Sequence, residues 1–274
     1  MRHNGLKALA LGILIAGYSA KSAPAPAAQG PGSSPPPPLY LPGYLPRGAL
    51  PSSLTLLPPP PTPGSAAQAR DDAAAKAAVA AAGGPRWRQA VRDADLRFPQ
   101  AAETYACALG VRITETDTPR LYGLLRRTLT DLGLSVYPTK LKYLRARPFT
   151  VDGASSCTPG DEAALRKDGS YPSGHSAIGW GWALILTEAA PERADAILAR
   201  GRAFGQSRVA CNVHWLSDTE ESRVIASATV ARLNDDPGFQ ADLAIAREEI
   251  AAARAAQLSP TRDCMNEAAQ LAGG

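Results

Sequence analysis

A histidine and an aspartate four residues apart, His214 and Asp218, have the side chains that nucleophilic chemistry needs. We interpret residues 214–233 as a helix, which would place both side chains on one face. A carboxylate beside one imidazole nitrogen fixes the tautomer and leaves the other nitrogen as a nucleophile or base. Arg208 adds a planar set of donors suited to phosphate oxygens. Taken alone, such a His–Asp pair is more often structural than catalytic.

A second segment, Tyr171–His175, reads Tyr-Pro-Ser-Gly-His and is typical of a helix start. Ser173 is a good N-cap residue, and Gly174 lets the backbone approach a ligand closely. Free N–H groups in the first turn, together with the helix dipole, favour a bound anion. His175 would stand at that anion site and donate a proton to a leaving oxygen. An ordinary turn before a helix is the simpler interpretation of this segment by itself.

A third segment supplies cations: Lys140 is separated by six residues from Arg147, and Pro148 follows. Lys140 and Arg147 are expected to reach one phosphate together, while Lys142 and Arg145 are interpreted as a solvated basic face. The combined set of two histidines, an aspartate, three cations and a helix N-terminus suits phosphoryl transfer without a metal. Neither a carboxylate cluster nor paired cysteines indicate a metal site.

The three segments together resemble the signature of the type 2 phosphatidic acid phosphatase superfamily, which also contains the vanadium haloperoxidases. The shared pattern is Lys-x6-Arg-Pro, then Pro-Ser-Gly-His, then Ser-Arg-x5-His-x3-Asp. Within that superfamily the chain is similar to the class A bacterial non-specific acid phosphatases. The regions that carry this likeness are Leu57–Pro61, Gly169–His175 and Cys211–Trp215, and the resemblance covers roughly residues 39 to 250.

The resemblance implies a role for each matching residue. His214 would attack phosphorus and form a phosphohistidine, Asp218 would orient it, and His175 would serve as general acid and then general base. The implied phosphate-binding residues are Lys140, Arg147, Ser173, Gly174 and Arg208. The implied enzyme is an acid phosphatase that is inhibited by vanadate, needs no cofactor and hydrolyses a broad range of phosphate monoesters. The resemblance also allows phosphotransferase activity. The acidic pair Glu220–Glu221 departs from the family pattern and is expected to weaken phosphate binding or alter the pocket edge.

Two alternative functions stay open. A vanadium-dependent haloperoxidase would bind vanadate at His214, although the chain is short for that group. A non-catalytic phosphate-binding protein would not need a nucleophile with an orienting acid. An integral membrane lipid phosphatase is disfavoured, because no later stretch approaches the ~18 apolar residues of a membrane helix. The expected partners are small phosphate monoesters such as nucleotides, sugar phosphates and aryl phosphates. A homodimer rests on the resemblance alone.

The formal net charge of +4 gives no case for nucleic-acid binding. Residues 1–20 have a charged start, a short apolar run and small residues, which predicts a cleaved signal peptide and a periplasmic or secreted protein. Residues 21–65 form a Pro/Ala-rich segment, of which the part from about residue 39 is expected to pack on the domain. Residues 66–258 are assigned to the catalytic domain and residues 259–274 to a C-terminal tail.

The predicted fold is all-α, a single-domain helical bundle, because strand signals are scarce. Proline and glycine positions predict the limits of several helices. The predicted helices cover residues 66–82, 86–109 with a bend at Pro99, 118–132 with Gly133 as the stop, 174–189, 191–204, 214–233 and 239–257. Residues 149–171 are predicted to be loop.

The four cysteines are Cys107, Cys157, Cys211 and Cys264. In an exported protein they allow two disulfides, and the sequence does not separate the three pairings. Cys211 lies three residues before His214, but no base–thiol signature surrounds it. We therefore expect a structural role for Cys211.

Overall fold

Helices and the turns between them form the structure, a computed structural model that describes residues 41–273. No strand occurs among these residues, and the predicted all-α fold is confirmed. The α-helices, in chain order, are α1 (Ser53–Leu56), α2 (Ala66–Ala80), α3 (Pro85–Asp93), α4 (Ala106–Leu109), α5 (Pro119–Ser135), α6 (Tyr137–Tyr143), α7 (Pro148–Val151), α8 (Glu162–Leu165), α9 (Gly174–Ala189), α10 (Ala194–Ala210), α11 (Leu216–Leu233), α12 (Pro237–Ala255) and α13 (Cys264–Ala272). The predicted signal peptide lies outside the described residues.

Helix α9 lies at the centre and packs against α5, α10, α11 and α12. Its residues are apolar on nearly every side, as a buried helix requires, and Trp182 is fully buried. Two glycines let the neighbouring helices come close. A Cβ atom on Gly179 would lie 2.2 Å from the ring of Phe204, and one on Gly181 would lie 2.2 Å from Leu132. The N-terminus of α9 is thereby held in a fixed position, and it carries the Pro-Ser-Gly-His motif.

Several helix limits follow the sequence signals. Helix α9 has the predicted bounds, with Ser173 as its N-cap. Helix α2 ends shortly before Gly83, whose φ of +76° is a backbone conformation that favours glycine. Pro85 begins α3 and Pro119 begins α5, because a residue in the first turn needs no N–H for the helix.

The predicted helix over residues 86–109 is wrong, since the chain breaks in the middle. Helix α3 ends at Asp93, and a 3₁₀ turn at Ala102–Tyr105 precedes α4. Pro99 lies within the break, and because proline disfavours helical backbone at the residue before it, no helix continues through Phe98. The break matters for function, since the segment after Asp93 becomes one wall of the site.

Two further predictions need correction. Gly133 does not end α5, which continues to Ser135, because Leu132 and Val136 on either side of it are buried in the core. Residues 149–171 are not loop throughout, since α7, a 3₁₀ turn and α8 occur among them. Each of these elements spans four residues or fewer, which is too short to give a periodic apolar pattern.

The chain before α2 contacts the helices through Tyr44. This side chain is buried, its backbone N–H donates to Asp131 Oδ2 at 2.9 Å, and its hydroxyl donates to Asp242 Oδ2 at 2.7 Å. Leu57 is buried as well, whereas Leu54 remains nearly half-exposed. Contacts across α5 and α12 therefore fix the described part of the proline-rich segment at these points.

Two disulfides join distant parts of the chain. Cys107 pairs with Cys264 and ties α4 to α13, which lies in the region that we assigned to a C-terminal tail. Cys157 pairs with Cys211 and ties the segment after α7 to the end of α10. The structure therefore selects one of the three pairings, and Cys211 has the structural role expected for it.

Candidate active site

The turn between α10 and α11 carries His214. Helix α11 begins at Leu216, two residues later than predicted, with Trp215 as its N-cap. The Oδ2 atom of Asp218, in the first turn of α11, accepts from the backbone N–H of Trp215 at 2.9 Å and lies 3.2 Å from Nδ1 of His214. The predicted His–Asp contact is present, but it arises from the helix cap and not from a shared helix face.

The hydrogen bonds of His214 determine its tautomer. Arg147 Nη1 lies 3.0 Å from Nε2 of His214. A guanidinium has donors only, so Nε2 must accept, and the proton of the neutral ring is on Nδ1. Nδ1 therefore donates to Asp218, and the lone pair of Nε2 accepts the hydrogen bond from Arg147. Burial, and next the charge of Arg147, lowers the pKa of His214 well below its usual value, which keeps this ring neutral.

Three cations surround this nitrogen: Lys140 from α6, Arg147 before α7 and Arg208 from α10. Each side chain is at most 4% exposed. Burial, and then repulsion from Arg147, lowers the pKa of Lys140 to about 8 and that of Arg208 to about 10. Among residues 41–273, Nε and Nη1 of Arg208 have no hydrogen-bond partner although both atoms are buried. Buried donors of this kind are suited to an anion.

Sequence reasoning missed Asp168, which lies between two of these cations. Its Oδ2 accepts from Lys140 Nζ at 3.2 Å and from Arg147 Nη2 at 3.0 Å. The carboxylate is 38% exposed. It therefore competes with a phosphate for the same donors. Its position five residues before Ser173 was the available signal, but an acid is not the residue type that an anion site predicts.

The N-terminus of α9 forms the opposite side of the site. Ser173 Oγ accepts from the N–H and the hydroxyl of Ser176, which leaves its own proton available for a phosphate oxygen. His175 Nε2 lies 3.0 Å from the carbonyl oxygen of Ala94, which only accepts, so Nε2 carries a proton and Nδ1 is the atom that exchanges one. Burial, and then Arg208, lowers the pKa of His175 well below its usual value.

Arg145 is not part of a solvated face, and that prediction is wrong. Its side chain is 9% exposed, and Nη1 donates to Asp218 Oδ1 at 2.7 Å. Nη2 donates to Asp71 Oδ2, also at 2.7 Å. Lys142 is exposed as predicted. Lys142 lies on α6, whereas Arg145 follows the end of that helix at Tyr143.

A cavity of about 920 Å³ opens beside His175 and Arg208. Its walls come from the segment after α3, from the α8 region and from Arg262 near the C-terminus. Apolar side chains such as Leu96 and Leu165 alternate there with charged ones. The cavity is large enough for the organic part of a phosphate ester.

The acidic pair after Asp218 has local partners. Glu220 forms an ion pair with Arg70, and burial followed by Glu220 raises the pKa of Glu221. Neither of the two glutamates lines the cavity beside His175. Between residues 41 and 273, no His, Cys, Asp or Glu side chains form a group of three that could hold a metal. Over the same range, every helix is too short or too polar to cross a bilayer.

The family model described as PAP2 superfamily matches residues 123–235. The chain belongs to this superfamily and, within it, to the non-specific acid phosphatases, as the three sequence motifs predicted. The chain is 46% identical over 167 residues to the non-specific acid phosphatase of Providencia stuartii. The aligned residues cover 61% of this chain and 67% of that protein. The non-specific acid phosphatase of Salmonella typhimurium is 45% identical over 169 residues, with 61% and 68% covered. The acid phosphatase of Zymomonas mobilis is 40% identical over 178 residues, with 65% and 67% covered.

Proposed function

We propose that this acid phosphatase hydrolyses phosphate monoesters through a covalent phosphate on Nε2 of His214. The observation that carries the proposal is the pair of hydrogen bonds on that ring: Asp218 on Nδ1 and Arg147 on Nε2. They hold an unprotonated nitrogen among buried cations, which is the arrangement that a histidine nucleophile requires.

Binding of the ester turns the N–H of Arg147 from Nε2 of His214 to a phosphate oxygen. In the first step, the freed Nε2 lone pair attacks phosphorus while the bond from phosphorus to the ester oxygen breaks. His175 gives the proton on Nδ1 to the departing oxygen, so an alcohol leaves. In the second step, His175 takes a proton from water as the water oxygen attacks phosphorus and the bond to Nε2 breaks. Inorganic phosphate and the neutral nucleophile are the products. An acceptor alcohol in place of water would give phosphotransferase activity.

Charge in both transition states falls on the phosphate oxygens, and the proposed ligands for them are Lys140, Arg147 and Arg208. Donors aimed at developing charge in a water-poor site stabilise it strongly. The hydroxyl of Ser173 and the backbone N–H of Gly174 add donors at the helix N-terminus. The three cations supply positive charge that a metal ion supplies in other phosphatases, so we expect activity in the presence of a chelator.

The pH dependence follows from the two histidines. His214 must be neutral and is neutral above its lowered pKa, whereas His175 must be protonated for the first step. Because the pKa of His175 is also lowered, protonation requires acidic solution or the charge of a bound phosphate, which opposes the nearby cations. We expect a bell-shaped profile with its maximum on the acid side of the ordinary histidine pKa of about 6.5.

A generic aryl phosphate, assayed between about pH 5 and 7, tests the proposal. The purified chain should be active, resist EDTA and be inhibited by vanadate, and His214→Ala should be inactive. Full activity in His214→Ala would contradict the nucleophile assignment, and chelator-sensitive turnover would contradict the metal-free mechanism. Bromide oxidation with vanadate and peroxide should be absent, whereas a haloperoxidase would show it.

We also propose that residues 1–20 direct export and that the mature enzyme works in the periplasm or outside the cell. Support comes from two disulfides, Cys107–Cys264 and Cys157–Cys211, because such bonds persist in oxidising compartments. Mass spectrometry of the protein from a fractionated cell tests this. An intact N-terminus in the cytoplasmic fraction would contradict it.

A further inference from the structure

A chain of buried charges lies behind Asp218, on the side away from His214. The guanidinium of Arg145 donates from Nη1 to Asp218 Oδ1 at 2.7 Å and from Nη2 to Asp71 Oδ2 at 2.7 Å. Both carboxylate residues are fully buried. Ser217 and Gln68 accept further bonds from the same guanidinium, each at 2.8 Å. The fork geometry of arginine thus joins two carboxylates in one rigid arrangement.

Asp71, which comes from α2, also holds the helix that carries Asp218. Its Oδ1 accepts from the backbone N–H of Ser217 at 2.8 Å, and its Oδ2 accepts from the Ser217 hydroxyl at 2.6 Å. Ser217 lies in the first turn of α11, one residue before Asp218. Asp71 therefore fixes both the guanidinium that contacts Asp218 and the backbone that presents it.

The two oxygens of Asp218 have separate partners. Oδ2 faces His214 Nδ1 and the N–H of Trp215, while Oδ1 faces Arg145. An ionised Asp218 accepts from both sides. A protonated one would have to donate from one oxygen, and the Nδ1–H of His214 would lose its full acceptor. The ring would then more readily carry its proton on Nε2, where it cannot attack.

Charge decides which form Asp218 takes. Burial raises the pKa of its carboxyl, and Arg145 is the strongest opposing group. The other charged or titratable groups that face Asp218 are His214, Lys140, Arg147 and Tyr171. Lys140 and Arg147 are paired with Asp168 and are the proposed partners of phosphate, whereas Arg145 forms a direct ion pair with Asp218 and shares its second nitrogen with Asp71.

We propose that Arg145 and Asp71 are positioning residues that hold Asp218 aimed at Nδ1 of His214, and that the positive charge of Arg145 also keeps Asp218 ionised. The proposal rests on the proposed function, in which His214 is the nucleophile. Neither residue contacts the substrate in this account; both act through Asp218. Asp71 lies outside residues 123–235, the range that the family model matches.

The test compares Asp71→Asn, Arg145→Met and Arg145→Lys with the parent. Asp72→Asn is the matched control, since Asp72 follows Asp71 on α2 and its exposed carboxylate bonds Gln68. Because misplacement of a reacting group can lower the rate about 100-fold, we expect a loss of kcat of that order in Arg145→Met, a smaller loss in Asp71→Asn and partial recovery in Arg145→Lys.

The Kd for inorganic phosphate, measured by calorimetry, should change by less than about threefold in these variants, because the hydrogen bonds of the Arg145 and Asp71 side chains go to Asp218, Ser217 and Gln68 and to each other, and not to the phosphate-binding cations. In Arg145→Met the acid limb of the kcat profile should move to higher pH, since Asp218 loses its neighbouring positive charge and protonates more easily. Asp71→Asn removes a buried negative charge and should not move the limb in that direction. Asp72→Asn should match the parent in every measurement.

Unchanged kcat in both Asp71→Asn and Arg145→Met would overturn the inference. A fall in kcat that is matched by an equal loss of phosphate affinity, with no shift of the acid limb, would overturn it too, since that pattern indicates a structural role alone. If Arg145→Met does not fold, Arg145→Lys and Asp71→Asn decide the question, because Arg145→Lys keeps the positive charge and Asp71→Asn keeps the side-chain size. His214→Ala is assayed in parallel. Activity there would overturn the proposed function itself, whereas an inactive His214→Ala beside fully active Asp71→Asn and Arg145→Met would overturn only this inference.

Discussion

The two histidines of the site are held in opposite ways. Nδ1 of His214 faces a carboxylate, Asp218, that is backed by a further charged pair. Nε2 of His175 faces a neutral backbone carbonyl, that of Ala94, at 3.0 Å. A carboxylate locks one tautomer, which suits a nucleophile. A carbonyl fixes the ring but adds no charge, so the other nitrogen can gain and lose a proton within one turnover.

Charged side chains also lie near His175, but they hold the backbone that contacts its ring. Asp93 immediately precedes Ala94 and is almost fully buried. Its Oδ1 accepts from Arg200 at 2.6 Å and its Oδ2 accepts from Ser207 at 2.6 Å, while Glu267 of α13 bonds Arg200 at 3.1 Å. This cluster holds the end of α3 in place. One charged network therefore serves a side chain, and the other serves the main chain.

The largest expected effect comes from Asp218→Asn. The amide would favour a ring with its proton on Nε2 of His214, so kcat should fall by about 10,000-fold, as when the aspartate of a catalytic triad is replaced. Stopped-flow assay of an aryl phosphate gives kcat, and thermal unfolding controls for the fold. A loss below about tenfold would mean that the carboxylate does not select the tautomer.

His175→Ala removes the second histidine of the site and should affect a different step of the reaction. Loss of a general acid–base group lowers the rate by on the order of 1,000-fold. With an aryl phosphate, whose leaving group needs no proton, the first step should survive while hydrolysis of the intermediate stalls. Rapid alkaline quench with labelled substrate should therefore trap phosphate on the His175→Ala protein and none on His214→Ala. Failure to trap it on the former would contradict the assigned base.

Asp93→Ala should act mainly on stability. Removing it leaves the buried guanidinium of Arg200 with one carboxylate fewer, and breaking a buried ion pair lowers the free energy of unfolding by about 3–5 kcal/mol. Urea denaturation measures this loss, and Asp95→Ala, which breaks an exposed pair with Arg97, is the control. At low temperature, where the variant is folded, kcat should fall far less than in Asp218→Asn. An equal fall in kcat would show that the two charged networks do not differ in their effect on catalysis.

The smallest effect, and one of opposite sign, is expected for Asp168→Asn. The change removes the carboxylate that competes for Lys140 and Arg147, so inorganic phosphate should bind about three- to tenfold more tightly, in line with the roughly 1 kcal/mol of a partly exposed ion pair. Competitive inhibition by phosphate measures the change. Weaker binding would show instead that Asp168 orients the two cations.

Local sequence signals predicted much of the fold and the composition of the site. Ser173, Pro85 and Pro119 mark helix starts through backbone rules that act over a few residues. The three motifs contain the proposed site residues, and in the structure these residues lie around one site. Even so, the reason given for the contact between His214 and Asp218 was a shared helix face, whereas the contact belongs to a helix cap.

The supporting residues could not be predicted in the same way. Asp71 bonds a guanidinium 74 positions away and a serine 146 positions away, and no local pattern specifies such partners. Arg145 was taken as part of a solvated basic face, together with Lys142. Its burial is decided by two carboxylates that only the tertiary structure brings to it. Asp168 was not predicted because its negative charge is the opposite of the charge that an anion-binding site requires.

The motif residues and the outer wall of the cavity beside His175 come from different parts of the chain. The motif residues lie between Lys140 and Asp218, inside the range that the family model matches. Much of the outer wall comes from elsewhere, from the segment after α3 and from Arg262, which Cys264 and its disulfide keep in place. Substitutions in that part of the wall should therefore change which ester fits the cavity without altering the residues proposed to transfer the phosphate.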